Sequence, residues 1–100
     1  MKVTTSDIQR ILNAEDIEGL LELGAPPDEY SQEAETIAAT LRQDTRVVIS
    51  EESLTTIILD AWARWFGPLS DDDLRRRSPA FRNVARRILR EAQQASKQTP

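Results

Sequence analysis

Any chemistry in this chain has to be done with carboxylates, arginines, lysines, hydroxyls and one tyrosine, because its 100 residues include no histidine and no cysteine. Histidine is the usual proton carrier near neutral pH, and cysteine supplies thiolate nucleophiles and zinc–sulfur sites. Their absence removes the Ser-His-Asp, Cys-His, HExxH and zinc-finger arrangements, and with them any disulfide. What remains is a poor inventory for catalysis, and the expectation is a protein that is not an enzyme and binds no cofactor or metal.

One cluster of potentially reactive side chains is Asp28, Glu29, Tyr30 and Glu33, just after Gly24-Ala25-Pro26-Pro27. Oxygen ligands so close could hold a hard cation or face a basic partner. EF-hand spacing is missing, and two or three neighbouring carboxylates do not make a cage. The structural alternative ranks ahead: Asp28 or Ser31 caps a helix, Glu29 and Glu33 sit in its positive N-terminal field, and Tyr30 turns its ring inward. Asp71-Asp72-Asp73 resembles a magnesium run only superficially, since consecutive helical residues point about 100° apart. Arg82, Arg86 and Arg90 recur at i, i+4, i+8 and form a candidate basic stripe for phosphates. No aromatic residue interleaves on that face, so a solvated helix face partly paired with acids is the preferred reading. Trp62, Trp65 and Phe66 cluster in five positions. Trp62 and Phe66 share an inner face as core, whereas Trp65 falls at the stripe edge as a candidate interface anchor.

Charge is unevenly spread. Residues 1–70 carry thirteen acids against five bases (−8), and residues 71–100 four against eight (+4), giving the net −4. An acidic body disfavours nucleic acid as the main partner, because non-specific phosphate affinity comes from positive charge. No segment is long and apolar enough to cross a bilayer, and the first residues lack a signal-peptide stretch, so a cytoplasmic protein is expected.

Every segment with clear periodicity reads as helix, and the predicted fold class is all-α, a small compact bundle of four to six helices with no sheet. Ile8, Ile11 and Leu12 mark a first helix, with Ser6 and Gln9 at capping-box spacing. Asp16 caps a short second turn burying Ile17, Leu20 and Leu21. Gly19 weakens that turn and Gly24 ends it. Pro26-Pro27 forbids continuation. A helix over about 31–43 buries Ala34, Ile37, Ala38 and Leu41. Val47-Val48-Ile49 is too short for a sheet and reads as an extended apolar connector. Ser50 opens the strongest helix, which carries Leu54, Ile57, Ile58, Ala61, Trp62, Trp65 and Phe66 and stops at Gly67-Pro68. Ser70 caps a short helix ending in Arg75-Arg76-Arg77, and Ser78-Pro79 restarts the chain as a last helix along Phe81, Val84, Ala85, Ile88, Leu89 and Ala92. One domain is expected over residues 1–95, with a frayed polar tail over 96–100.

Asp16-Ile17-Glu18-Gly19-Leu20, Gly24-Ala25-Pro26-Pro27-Asp28-Glu29-Tyr30, Glu33 with Ile37, and Trp65-Phe66-Gly67 occur in this order over roughly residues 8–90. In that order and spacing the chain resembles the YugE-like family of small bacterial helical proteins, with Ile17 standing where that family is expected to have proline. The resemblance implies a compact all-helical domain and no assigned activity.

The functional expectation is a non-enzymatic protein–protein interaction module, self-association through the Trp65 region included. Its candidate surface is Asp28, Glu29, Tyr30, Glu33 and Trp65. The alternatives are an acidic neutralising partner for a basic toxin and, last in rank, nucleic-acid contact through the arginine stripe.

Overall fold

Helices form where the apolar spacing is helical, three of them behind a capping hydroxyl. The computed structural model of the chain describes residues 3–44 and 49–97, with side chains to Gln94. It contains α1 (Thr5–Glu15), α2 (Ser31–Gln43), α3 (Glu51–Phe66) and α4 (Asp71–Lys97). Among the described residues there is no strand. The described residues thus form an all-helical fold with four helices.

Ser50 and Ser70 cap α3 and α4 as expected, accepting from the amides of Ser53 and Asp73 at 3.1 Å each. The cap of α1 lies two residues earlier than expected. Thr4 accepts from the Asp7 amide while the Asp7 carboxylate accepts from the Thr4 amide, both at 3.1 Å, closing a reciprocal capping box. A carboxylate suits this position better than Gln9 could, because it also lies in the positive field of the helix start.

The expected break at Ser78-Pro79 does not occur. α4 runs unbroken for 27 residues with Pro79 inside it, and the Ser78 hydroxyl donates to the Leu74 carbonyl at 2.6 Å instead of capping a new helix. Leu74, Arg77, Phe81, Val84 and Ile88 fall at i, i+3, i+7, i+10 and i+14, one line that only a continuous helix keeps facing inward. The carbonyl that Pro79 cannot serve belongs to Arg75, an exposed residue where water can take the bond.

α1 packs on α2, α2 on α3, α3 on α4 and α4 back on α1, so the four helices close a ring around one core. The longest dimension, 42 Å, matches the roughly 40 Å expected of a 27-residue helix at about 1.5 Å per residue. Trp62 is the centre. It is fully buried, stacked 5.8 Å from Tyr30 and 5.3 Å from Phe66, with the Phe81 ring edge-on at 5.6 Å. Phe66 is not a core residue as expected. It is the last residue before Gly67 turns the chain away, so one ring face covers Trp62 and 41% of the side chain meets solvent. Ile49 is buried, while Val47 and Val48 of the expected connector lie outside the described residues. Ser96 and Lys97, read as tail, belong to α4, and the rest of that tail lies outside the described residues.

Candidate functional site

The segment joining α1 to α2 is built on Asp16. This residue ends α1 in the left-handed region (φ 46°), and its amide donates to the Leu12 carbonyl at 2.8 Å. Its carboxylate then accepts from the amides of Leu21 and Glu22 at 3.1 and 3.0 Å, holding residues 17–24 in successive turns. Gly19 does not weaken this arrangement but enables it. At φ +69° it adopts a conformation that is unfavourable for a residue with a Cβ, and nothing lies within 4 Å of where that Cβ would be. Gly24 ends the segment as expected. Ala25 donates to Leu20 and Gly24 to Leu21, both at 3.0 Å, in the paired pattern of a left-handed C-terminal cap.

This segment is wired into the core through a chain of polar contacts. The Tyr30 hydroxyl donates to Asp16 Oδ1 at 2.7 Å and accepts from the Glu18 amide at 3.2 Å. The Glu18 carboxylate accepts the Trp62 indole N–H at 3.1 Å and a two-pronged pair from Arg77, at 2.6 Å from Nε and 2.8 Å from Nη2. Arg77 also meets Asp73 at 3.0 Å, and Asp73 in turn pairs with Arg76. The charges explain one another. The Tyr30 hydroxyl holds Asp16 below the usual carboxylate range, and Arg77 does the same to Glu18. Ser70, ahead of Arg76 and Arg77, holds Asp73 down at about 2. Burial, and then Asp16, push the Tyr30 phenol well above its ordinary value. Such a set is satisfied, rigid and already fully partnered.

The four residues Asp28, Glu29, Tyr30 and Glu33 therefore do not present one face. Tyr30 is fully buried and Glu33 is 3% exposed, while Asp28 and Glu29 face solvent. The expected side-chain cap is also absent. Tyr30 itself occupies the N-cap of α2, its carbonyl accepts from Ala34 at 3.0 Å, and neither Asp28 nor Ser31 caps the helix by a side chain. Tyr30 fills this position because its ring is committed to Trp62 and its hydroxyl to Asp16. From α1, Asn13 and Gln9 donate to the Pro27 carbonyl at 2.9 and 3.3 Å, fixing the corner from outside. Glu33 is left with Oε2 buried and unpartnered among the described residues, and desolvation, with Glu29 nearby, raises its pKa.

Trp65 lies elsewhere, on an open groove of about 360 Å³ between α2 and α3. It is 43% exposed, and its indole N–H donates to Thr36 Oγ1 at 2.8 Å. The Arg64 guanidinium covers its ring at 5.7 Å. Along α2 the groove floor is Gln32, Glu35, Thr36, Ala39, Thr40 and Gln43, the helix face opposite Ala34, Ile37, Ala38 and Leu41.

The basic stripe is on another face. Arg82, Arg86 and Arg90 are all exposed, but Arg86 pairs with Glu51 at 3.0 Å and Arg82 borders a cleft with Glu51 and Glu52. The aspartate run is divided in the same way, with Asp72 near Arg75 at 3.6 Å and Asp73 held by Arg76 and Arg77. Among the described residues no group of three or more carboxylates is placed to share an ion, and no helix is long and apolar enough to cross a membrane.

Glu18 and Arg77 are the residues that sequence reasoning missed. Arg77 continues the Phe81, Val84 and Ile88 line one turn upstream, a signal hidden by reading Pro79 as a break. Comparison with protein-family models, with curated proteins and with solved structures finds no match.

Proposed function

We propose that this chain is a non-enzymatic protein-binding module of the cytoplasm whose contact face is the α2–α3 groove. The observation that supports the reading is Trp65, half-exposed yet held in place by Thr36 and Arg64. An aromatic ring fixed before binding loses little rotamer freedom when a partner covers it, and tryptophan and arginine are the side chains that most often anchor interfaces. The polar network of Asp16, Tyr30, Glu18 and Arg77 belongs to the scaffold in this reading, because each group already has partners.

The test is site-specific photo-crosslinking in source cells, with the reactive amino acid in place of Thr40 on the groove or of Arg90 on α4. A discrete adduct from position 40, lost in Trp65→Ala, is the expected result. Equal, diffuse labelling from both positions would leave the groove without a role.

A further inference from the structure

We propose that the occupant of the groove is a second copy of this chain, docked as a two-fold antiparallel pairing of α2 against α2 with Ala39 near the axis. This rests on the groove being a binding face. Glu35 and Arg42 are both exposed, and neither has an ion-pair partner among the described residues. They are seven residues apart, which puts them on the same flank of the helix two turns from each other. Their midpoint falls beside Ala39, whose small side chain lets a second helix backbone approach closely.

The pattern selects one geometry. In an antiparallel two-fold contact, residues on the same flank face each other, so Glu35 meets the partner's Arg42 and the symmetry repeats the pair. Parallel packing in register would turn the Glu35 and Arg42 flank of each copy toward the opposite flank of its partner and leave both charges without the complementary one. Trp65 and Arg64 line the groove beside α2 and extend the contact beyond that one helix. The extension is needed: a standard interface takes about 800 Å² from each partner, roughly an eighth of the 6395 Å² this chain exposes. A 13-residue helix alone falls short of that, so the dimer is expected to be weak, with Kd in the micromolar range or above.

Sedimentation equilibrium on the full chain, up to roughly 1 mM, reads the outcome. Wild type is expected to dimerise, Glu35→Arg and Arg42→Glu to weaken the dimer about tenfold or more each by placing like charges together, and the double variant to return to near wild-type affinity. Circular dichroism of the same samples checks that each remains helical, and the recovery in the double variant separates a lost contact from a lost fold. A chain that stays monomeric to the top concentration overturns the second copy, as does a dimer indifferent to both single swaps. The mass of the position-40 adduct separates the two readings. A heterologous adduct leaves the groove as a binding face without self-association, whereas a monomer with no adduct removes both.

Discussion

Tyr30 and Asp16, fourteen positions apart, meet hydroxyl to carboxylate at 2.7 Å at the junction of α1, α2 and the turns between them. The contact turns a flexible-looking stretch with two glycines and two prolines into a fixed corner. Asp16 holds the turn amides while Tyr30 holds Asp16, and the Tyr30 ring lies on Trp62. Local backbone geometry is thereby tied to the centre of the core.

Tyr30→Phe isolates the hydroxyl. The ring can keep its stacking, but Asp16 loses a donor and the Glu18 amide loses its acceptor. A loss of about 1–3 kcal/mol is expected, the range for breaking a partly buried hydrogen-bonded unit. Urea denaturation of the two proteins measures it. A difference within a few tenths of a kcal/mol would mean the hydroxyl does not hold the corner.

Arg77→Ala should destabilise by roughly 2 kcal/mol at neutral pH, because it strips the Glu18 carboxylate of its two-pronged partner in a partly buried setting. The sign of the pH dependence follows from Glu18. Its pKa is lowered in the folded chain, so the pair contributes fully above the unfolded carboxylate range and is lost as pH falls through the lower folded value. The gap between wild type and variant should therefore narrow as the pH drops below about 4. Denaturation midpoints at pH 7, 5 and 3 test this, and a gap that is constant or widens in acid contradicts the assignment.

Glu33 runs the other way. Burial raises its folded pKa above the unfolded one, so it favours folding while protonated and that contribution disappears as pH rises through the folded value. Glu33→Gln removes the charge and should stabilise by up to about 1 kcal/mol at pH 7. The gain should fade below about pH 4, where Glu33 is neutral in both states. A variant destabilised at pH 7 would show that the carboxylate has a partner the wild-type chain relies on.

The readable and the hidden parts of this fold divide by sequence distance. α2, α3, the Ser50 and Ser70 caps and the stripes of Ile37, Leu54, Phe81 and Ile88 follow from local spacing, and the structure has them. The Trp62–Glu18 and Arg77–Glu18 contacts span 44 and 59 positions, and no local pattern announces them. Gly19 differs from its local expectation for a related reason. Helix propensity counts against glycine, whereas the segment needs its positive φ. Tyr30 was legible as inward-facing, but its commitment to Asp16 was not. The solvent-facing group therefore reduced to Asp28, Glu29 and the separate Trp65.

Pro79 gives the sharpest contrast between local rule and packed structure. Because α4 is one helix, Pro79→Ala restores an amide donor to the Arg75 carbonyl and removes the ring from the preceding turn, at an exposed position where nothing else is lost. Stabilisation of about 1–3 kcal/mol is then expected, the larger figure being the full penalty of an interior proline. If Ser78 and Pro79 instead opened a separate helix, proline would sit at its favoured first position and alanine would be neutral or harmful. Thermal denaturation distinguishes the two, and so does amide exchange at residues 78–82, which should slow in the variant of a continuous helix. The result also bears on the polar network, because only an unbroken α4 carries Arg77 on the same line as Phe81 and Val84 and delivers it to Glu18.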